Sequence, residues 1–192
     1  MSLSGSNNNT AIDAAQNSAL RSEWFARLER TYQSIKEPSG LECATRCNAR
    51  CCPKTKSSAN TKDAVGHVAI MLPFELEYIV EKASSDRELM HETSIEFTDE
   101  NVINIGFMTS EKPCPFLTKK NKCGIYDIRP IDCRSFPLIP VFSEQGSISF
   151  RKDQDCPSAT TLSAAYEEEL KVVWHELLSQ LPMTYRRLYN AL

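Results

Sequence analysis

Residues 114–137 read CPFLTKKNKCGIYDIRPIDCRSFP. Cys114, Cys123 and Cys133 lie in this stretch, with Pro113 just before it and Pro115, Gly124, Pro130 and Pro137 inside it. Proline removes a backbone donor and fixes φ, and glycine admits turns, so neither a long helix nor a central strand runs through here. A loop this dense in thiols gains little from ordinary burial; it is built to hold something. The rest of the chain supplies a partner block, Cys43, Cys47, Cys51 and Cys52, a last thiol at Cys156, and helices to close around them.

The chain has 192 residues, a length that suits one domain and a core that needs no covalent staples. The expected layout is a single domain over residues 11–192. Its metal-binding core is residues 43–156, and residues 11–36 and 160–192 are flanking helices. A formal net charge of −3 gives no overall field that would draw nucleic acid or a membrane surface. No apolar run reaches the roughly 18 residues a membrane-spanning helix needs. Residues 1–10, MSLSGSNNNT, have neither the positive nor the apolar region of a secretory signal and read as a disordered N-terminus. The expected location is therefore the cytoplasm. In a reducing compartment, eight cysteines more often bind metal or do redox work than form structural disulfides.

Helical spacing of Ile12, Ala15, Ala19, Leu20, Trp24, Leu28, Tyr32 and Ile35 predicts a helix over residues 10–35. Thr10-x-x-Asp13 is its candidate capping box, and Pro38-Ser39-Gly40 ends it. Residues 65–72, VGHVAIML, have strand character, and Pro73 opens a helix to residue 83 with Leu76, Ile79 and Val80 inward. Residues 84–100 read as charged and irregular, with a short strand at 94–98; NVINIGFM at 101–108 reads as a full strand. Residues 138–142 lead through a turn at Glu144-Gln145-Gly146 to a return strand at 147–151.

Residues 160–181 carry the strongest helix signal, a stripe of Leu162, Ala165, Tyr166, Leu170, Val173, Leu177 and Leu181 widened by Trp174 and Leu178. Pro182 stops that helix and opens a terminal one. The predicted fold class is α+β: a small cysteine-rich core with a few short strands, flanked by N- and C-terminal helices. Of the histidines, His67 is expected as a core or edge residue, His91 as solvated and His175 as a surface residue. None forms a catalytic constellation with an acid, so no catalytic residue is assigned, and an enzyme that works through a cysteine-bound cluster or its reactive thiols is the alternative reading.

Soft thiolates select zinc, copper(I) or iron–sulfur clusters. If residues 43–52 are helical, Cys43, Cys47 and Cys51 share a face, while Cys51 and Cys52 diverge by about 100°. Zinc ribbons carry paired C-x2-C knuckles, and this chain has none. Cys52, Cys114 and Cys156 each precede proline, as does the last cysteine of the ferredoxin-type run. Iron–sulfur is therefore favoured over zinc. Whether there is one site or two, and which thiols share it, stays open.

From Cys43 to Lys56 the first block carries Arg46, Arg50, Lys54 and Lys56 and no acid. Lys112, Lys119, Lys120, Lys122, Arg129 and Arg134 surround the second, against Asp127 and Asp132. Such cations lower thiol pKa and offset thiolate charge. No aromatic interleaving of the kind that stacks bases appears, so nucleic acid is not an expected partner; the sequence leaves room for a protein partner without identifying one. Pro130 is placed to open a short helix with Asp132 and Cys133 in its first turn. Asp132 is expected to accept backbone N–H groups there, and Arg129 to neutralise the thiolates or pair with Asp127 or Asp132.

These residues resemble the YkgJ-like family, named for a CxxCxxxCC motif and described as a zinc- or iron-chelating domain. The likeness rests on Cys43…Cys47…Cys51-Cys52, on Cys114-Pro115-Phe116-Leu117 and on residues 123–137, CGIYDIRPIDCRSFP. It covers about residues 43–156, with one departure: the first gap is three residues, not two. The resemblance implies cysteine-bound metal, iron–sulfur or zinc, on Cys43, Cys47, Cys51, Cys52, Cys114, Cys123, Cys133 and Cys156. It implies no reaction. A related domain occurs in flagellin lysine N-methylases, but no glycine-rich nucleotide-binding motif is present here, and methyl transfer is not expected.

Overall fold

A computed structural model describes residues 7–36, 52, 69–83, 91–98, 101–108, 114–154 and 156–191, with the side chains of the first helix described from Asn17 onward. Helix α1 (Asn7–Ser34) buries Trp24, Leu28 and Tyr32, each four residues after the last, on one face. It starts earlier than expected. Residues 7–10, assigned to a disordered N-terminus, are helical, and Thr10 lies inside the helix rather than at its cap. The run Ser6-Asn7-Asn8-Asn9 is itself favourable at a helix start, so the helix need not wait for Thr10.

Strand β1 (Ala69–Ile70) is the described remnant of the strand expected at 65–72; residues 65–68 lie outside the described residues. Helix α2 (Glu75–Ala83) begins two residues after Pro73, because Phe74 takes a left-handed φ of 60° and forms a turn instead of a first helical residue. Strands β2 (His91–Thr98) and β3 (Asn101–Met108) pair antiparallel, and the sheet order is β1-β3-β2.

Strand β3 has its predicted bounds, but β2 starts at His91, three residues before the expected strand. His91 is half-buried and stacks on Phe107, its partner across the pair, with ring centroids 5.5 Å apart. That cross-strand pair extends the strand and corrects the solvated reading of His91. Helix α2 lies close on β3: a Cβ on Gly106 would stand 2.8 Å from Leu76 Cβ.

Strands β4 (Leu138–Phe142) and β5 (Ile148–Lys152) form a second antiparallel sheet, closed by a turn in which Gly146 has φ +84°. Helix α4 (Ala164–Leu178) is capped by the Ser163 hydroxyl, which accepts from Tyr166 N, and buries Tyr166, Leu170, Val173, Trp174 and Leu177. Ala165, placed in the predicted stripe, is exposed. Helix α5 (Met183–Ala191) follows Pro182 and turns Tyr185 and Tyr189 inward. Phe142, Trp174 and Tyr189 meet edge to face at 5.3–6.2 Å and join β4, α4 and α5. The fold is α+β, with N- and C-terminal helices around small sheets, and one cluster of buried side chains runs from Trp24 to Tyr189. No described helix is long and apolar enough to cross a membrane.

Candidate metal centre

Helix α3 (Ile131–Ser135) is the centre of the decisive stretch. Pro130 precedes it as the N-cap, with φ −46° and ψ 146°. A five-residue helix cannot sustain itself, since nucleation costs more than so few hydrogen bonds return. The neighbours hold it. Ile131, Asp132, Arg134 and Ser135 are buried, and Cys133 alone of the five is half-exposed. Groups from α1, β1, α2, α4 and α5 reach this helix, and its one thiol is half-buried.

The anchors are specific. Trp174 Nε1 donates to Ser135 Oγ at 2.9 Å, and that hydroxyl donates to Ile131 O at 2.7 Å. Asp132 Oδ2 accepts from Ile70 N at 3.1 Å, and Oδ1 accepts from the Tyr189 hydroxyl. Arg134 reaches the backbone oxygens of Tyr32 (3.4 Å) and Asp127, and its guanidinium lies 4.7 Å from the centre of the Tyr32 ring. Burial, reinforced by the Asp132 or Glu75 charge, pushes the Tyr32, Tyr185 and Tyr189 hydroxyls well above their ordinary range, so they remain protonated donors.

Two side chains have partners that the sequence does not show. Asp132 reaches the N–H of a distant strand and a hydroxyl from α5. Arg129 packs its guanidinium 3.9 Å from the Tyr126 ring centre and donates to Tyr126 O at 3.1 Å and to Cys133 O at 3.5 Å. A ring and two backbone carbonyls of the same turn are thus among its partners. Sequence reading also passed over Glu75. Its carboxylate is completely buried and accepts from Tyr32 Oη (2.7 Å), Leu72 N (2.7 Å) and Ile131 N (2.8 Å). Burial is the largest influence and lifts its pKa to about 7, although all three donors pull it down.

Upstream, residues 114–124 form a tight hairpin. Gly124 N donates to Phe116 O at 2.8 Å, Thr118 N to Lys122 O at 2.8 Å, and Leu117 bridges Cys123. Asn121 takes the left-handed position of the tip at φ 54°, a conformation asparagine tolerates. Cys114 N donates to Cys52 O at 2.9 Å, and the Cys52 thiol hydrogen-bonds the Cys114 sulfur. This joins the end of the first cysteine block to the start of the second. The Cys52 contact brings the Cys114 thiol down to about 7; burial opposes it, and the N–H groups of Phe116 and Leu117 assist. The cause is a neighbouring thiol and backbone donors rather than the basic side chains of the loop. Cys114 Sγ also lies 3.5 Å from Met108 Sδ at the end of β3.

Cys156 sits in a turn held to the same region, because Asp153 N donates to Pro137 O at 2.9 Å and Cys156 N to Asp153 O at 3.3 Å. Cys52, Cys114, Cys123, Cys133 and Cys156 are all half-buried. Among the described residues no three His, Cys, Asp or Glu side chains converge on one point. Cys43, Cys47 and Cys51, the expected helix at 43–52 and His67 lie outside the described residues. His175 is exposed on α4, as expected, with its ring 5.7 Å from Phe150.

Residues 42–159, well over half of the chain, match the CxxCxxCC family, described as "Putative zinc- or iron-chelating domain". The chain belongs to that family. Its likeness to a metal-chelating domain agrees with the resemblance carried by the cysteine motifs, and zinc and iron–sulfur are both compatible with it. No curated protein and no solved structure gives a match. The match begins and ends outside the flanking helices α1, α4 and α5.

Proposed function

We propose that this chain is an iron–sulfur protein in which Cys43, Cys47, Cys51, Cys52, Cys114, Cys123, Cys133 and Cys156 supply the ligands, within a single domain over residues 11–192. It acts as a structural, electron-transfer or assembly module for a protein partner, in the cytoplasm, and no catalytic side chain is assigned. The observation that carries the reading is the contact of Cys52 with Cys114, which brings thiols from two distant sequence blocks together. The donor set fits a soft metal, because sulfur dominates it and the Cys114 thiol is easily ionised. A bound iron–sulfur cluster supplies one-electron redox chemistry, which zinc does not. The three Cys-Pro pairs and the lack of C-x2-C knuckles favour iron over zinc.

The test is metal and acid-labile sulfide analysis of protein purified without oxygen, alongside its visible spectrum. Iron with sulfide and a charge-transfer spectrum is the expected result. A colourless protein with stoichiometric zinc would assign zinc to the same residues. Protein with neither metal would overturn the reading.

A further inference from the structure

We propose that Glu75 is the positioning residue of the cysteine site: its carboxylate fixes the start of α3 and thereby the place of the Cys133 sulfur. The inference rests on the reading of Cys133 as a metal ligand. No sequence motif contains Glu75, and the family match does not single it out.

Helix α3 has five residues and no local side-chain cap, so its first N–H groups need an acceptor from elsewhere. Glu75 Oε1 accepts the Ile131 N–H from 56 positions away in the chain. The same carboxylate is fixed from two other sides. Tyr32 of α1 donates to Oε1, and Leu72 N, just beyond β1, donates to Oε2. Glu75 N in turn donates to Leu72 O at 3.0 Å, so residues 72 and 75 grip each other twice. The link between them runs through Phe74, a bulky buried residue held at φ 60°. A backbone conformation this unfavourable for phenylalanine persists only where its surroundings impose it.

A buried carboxylate is a costly way to fill a core position, and an apolar side chain packs there at less cost. What the carboxylate provides is three directed acceptor contacts that tie α1, β1 and α3 to one point. Four of the five α3 side chains are locked in the core. A shift of the helix start therefore moves the fifth, Cys133, relative to the thiols of the neighbouring hairpin.

The test compares Glu75→Gln with Ile103→Ala, a buried truncation in β3 rather than α3, with the melting temperature of each variant measured alongside. Glutamine keeps the size of the side chain. In either orientation, however, its amide nitrogen faces one backbone N–H, that of Leu72 or that of Ile131, so one donor loses its acceptor. The readouts are release of the co-purified metal to a chelator and alkylation of individual cysteines by iodoacetamide, mapped by mass spectrometry. Glu75→Gln is expected to release metal about 10–100-fold faster than wild type, the usual effect of disturbing a ligand's support. Alkylation at Cys133 should rise with it, and Ile103→Ala should leave both rates unchanged.

Equal rates in Glu75→Gln and Ile103→Ala would overturn the inference and reduce Glu75 to a general stability residue. If Glu75→Gln does not fold, Tyr32→Phe removes one of the three donors and should shift both rates in the same direction by a smaller factor; no shift would overturn the inference. Wild-type protein without metal would defeat the metal-binding reading instead. The Cys133 alkylation ratio would then decide on Glu75 alone, a ratio of one counting against it.

Discussion

The backbone N–H of Ile70 donates to Asp132 Oδ2 at 3.1 Å across a separation of 62 residues, and the other oxygen of that carboxylate takes the Tyr189 hydroxyl. One side chain beside a candidate ligand thus ties the first sheet to the last helix. Asp132→Ala leaves two buried donors without an acceptor, at about 1–3 kcal/mol each. The variant should still purify with metal but release it faster to a chelator. Arg129→Ala, which loses a ring contact and two backbone bonds, should show a milder form of the same defect. Complete loss of metal at purification in Asp132→Ala, equal to that of Cys133→Ser, would make Asp132 a ligand.

Replacing Cys133 or Cys123 with serine should remove metal and destabilise the fold. Cys133 projects from a helix that the core holds rigidly, and Cys123 closes the hairpin against Leu117. Thiolate ligation adds folding free energy directly, on the order of 10 kcal/mol for structural zinc in model peptides. Metal content and melting temperature unchanged in both variants would remove these residues from the site.

Glu75 predicts a pH dependence that runs opposite to ordinary acid denaturation. Burial lifts its folded pKa to about 7 from a usual 4.5, so the folded state binds the proton more tightly than the unfolded state does. The stabilisation is fully present below the unfolded pKa and is lost as pH rises through about 7. Over the whole window this linkage amounts to roughly 3 kcal/mol. Urea unfolding at pH 6 and pH 8 should therefore show a loss of stability at pH 8 that is absent in Glu75→Gln. A parallel loss in the variant would assign the dependence to other groups.

Much of this arrangement was legible because it is local. The alternation of NVINIGFM set β3 at Asn101–Met108, and Pro130 and Pro182 marked the starts of α3 and α5. The cysteine and Cys-Pro pattern pointed to the family that residues 42–159 match. What escaped depends on long-range contacts. Glu75 stands out in no sequence pattern, because periodicity cannot show that Tyr32 and Ile131, 43 and 56 residues away, donate to it. His91 reads as solvated because only its pairing with Phe107 makes it part of a strand. The tie from Asp132 to the distant Ile70 N–H is likewise invisible in the local pattern.

Tyr185 provides a prediction of opposite sign. Its ring is completely buried, and its hydroxyl oxygen makes no hydrogen bond among the described residues. Burial raises its pKa well above the usual range, and the Asp132 and Glu75 charges raise it further, so the group stays a neutral phenol beside two carboxylates. A buried hydroxyl without a partner costs about 1–3 kcal/mol of desolvation that nothing offsets. Phenylalanine keeps the ring and its packing while removing that cost. Tyr185→Phe should therefore raise the melting temperature, by about 2–4 °C for each kcal/mol gained in a chain of this size. Tyr189→Phe, which deletes the donor to Asp132, should lower it, although the chemical change is identical and both rings lie in α5. Thermal melts of the two variants decide the matter. A fall in Tyr185→Phe as large as that in Tyr189→Phe would mean that the Tyr185 hydroxyl is bonded within the folded protein and that the polar cluster beneath α3 extends to it.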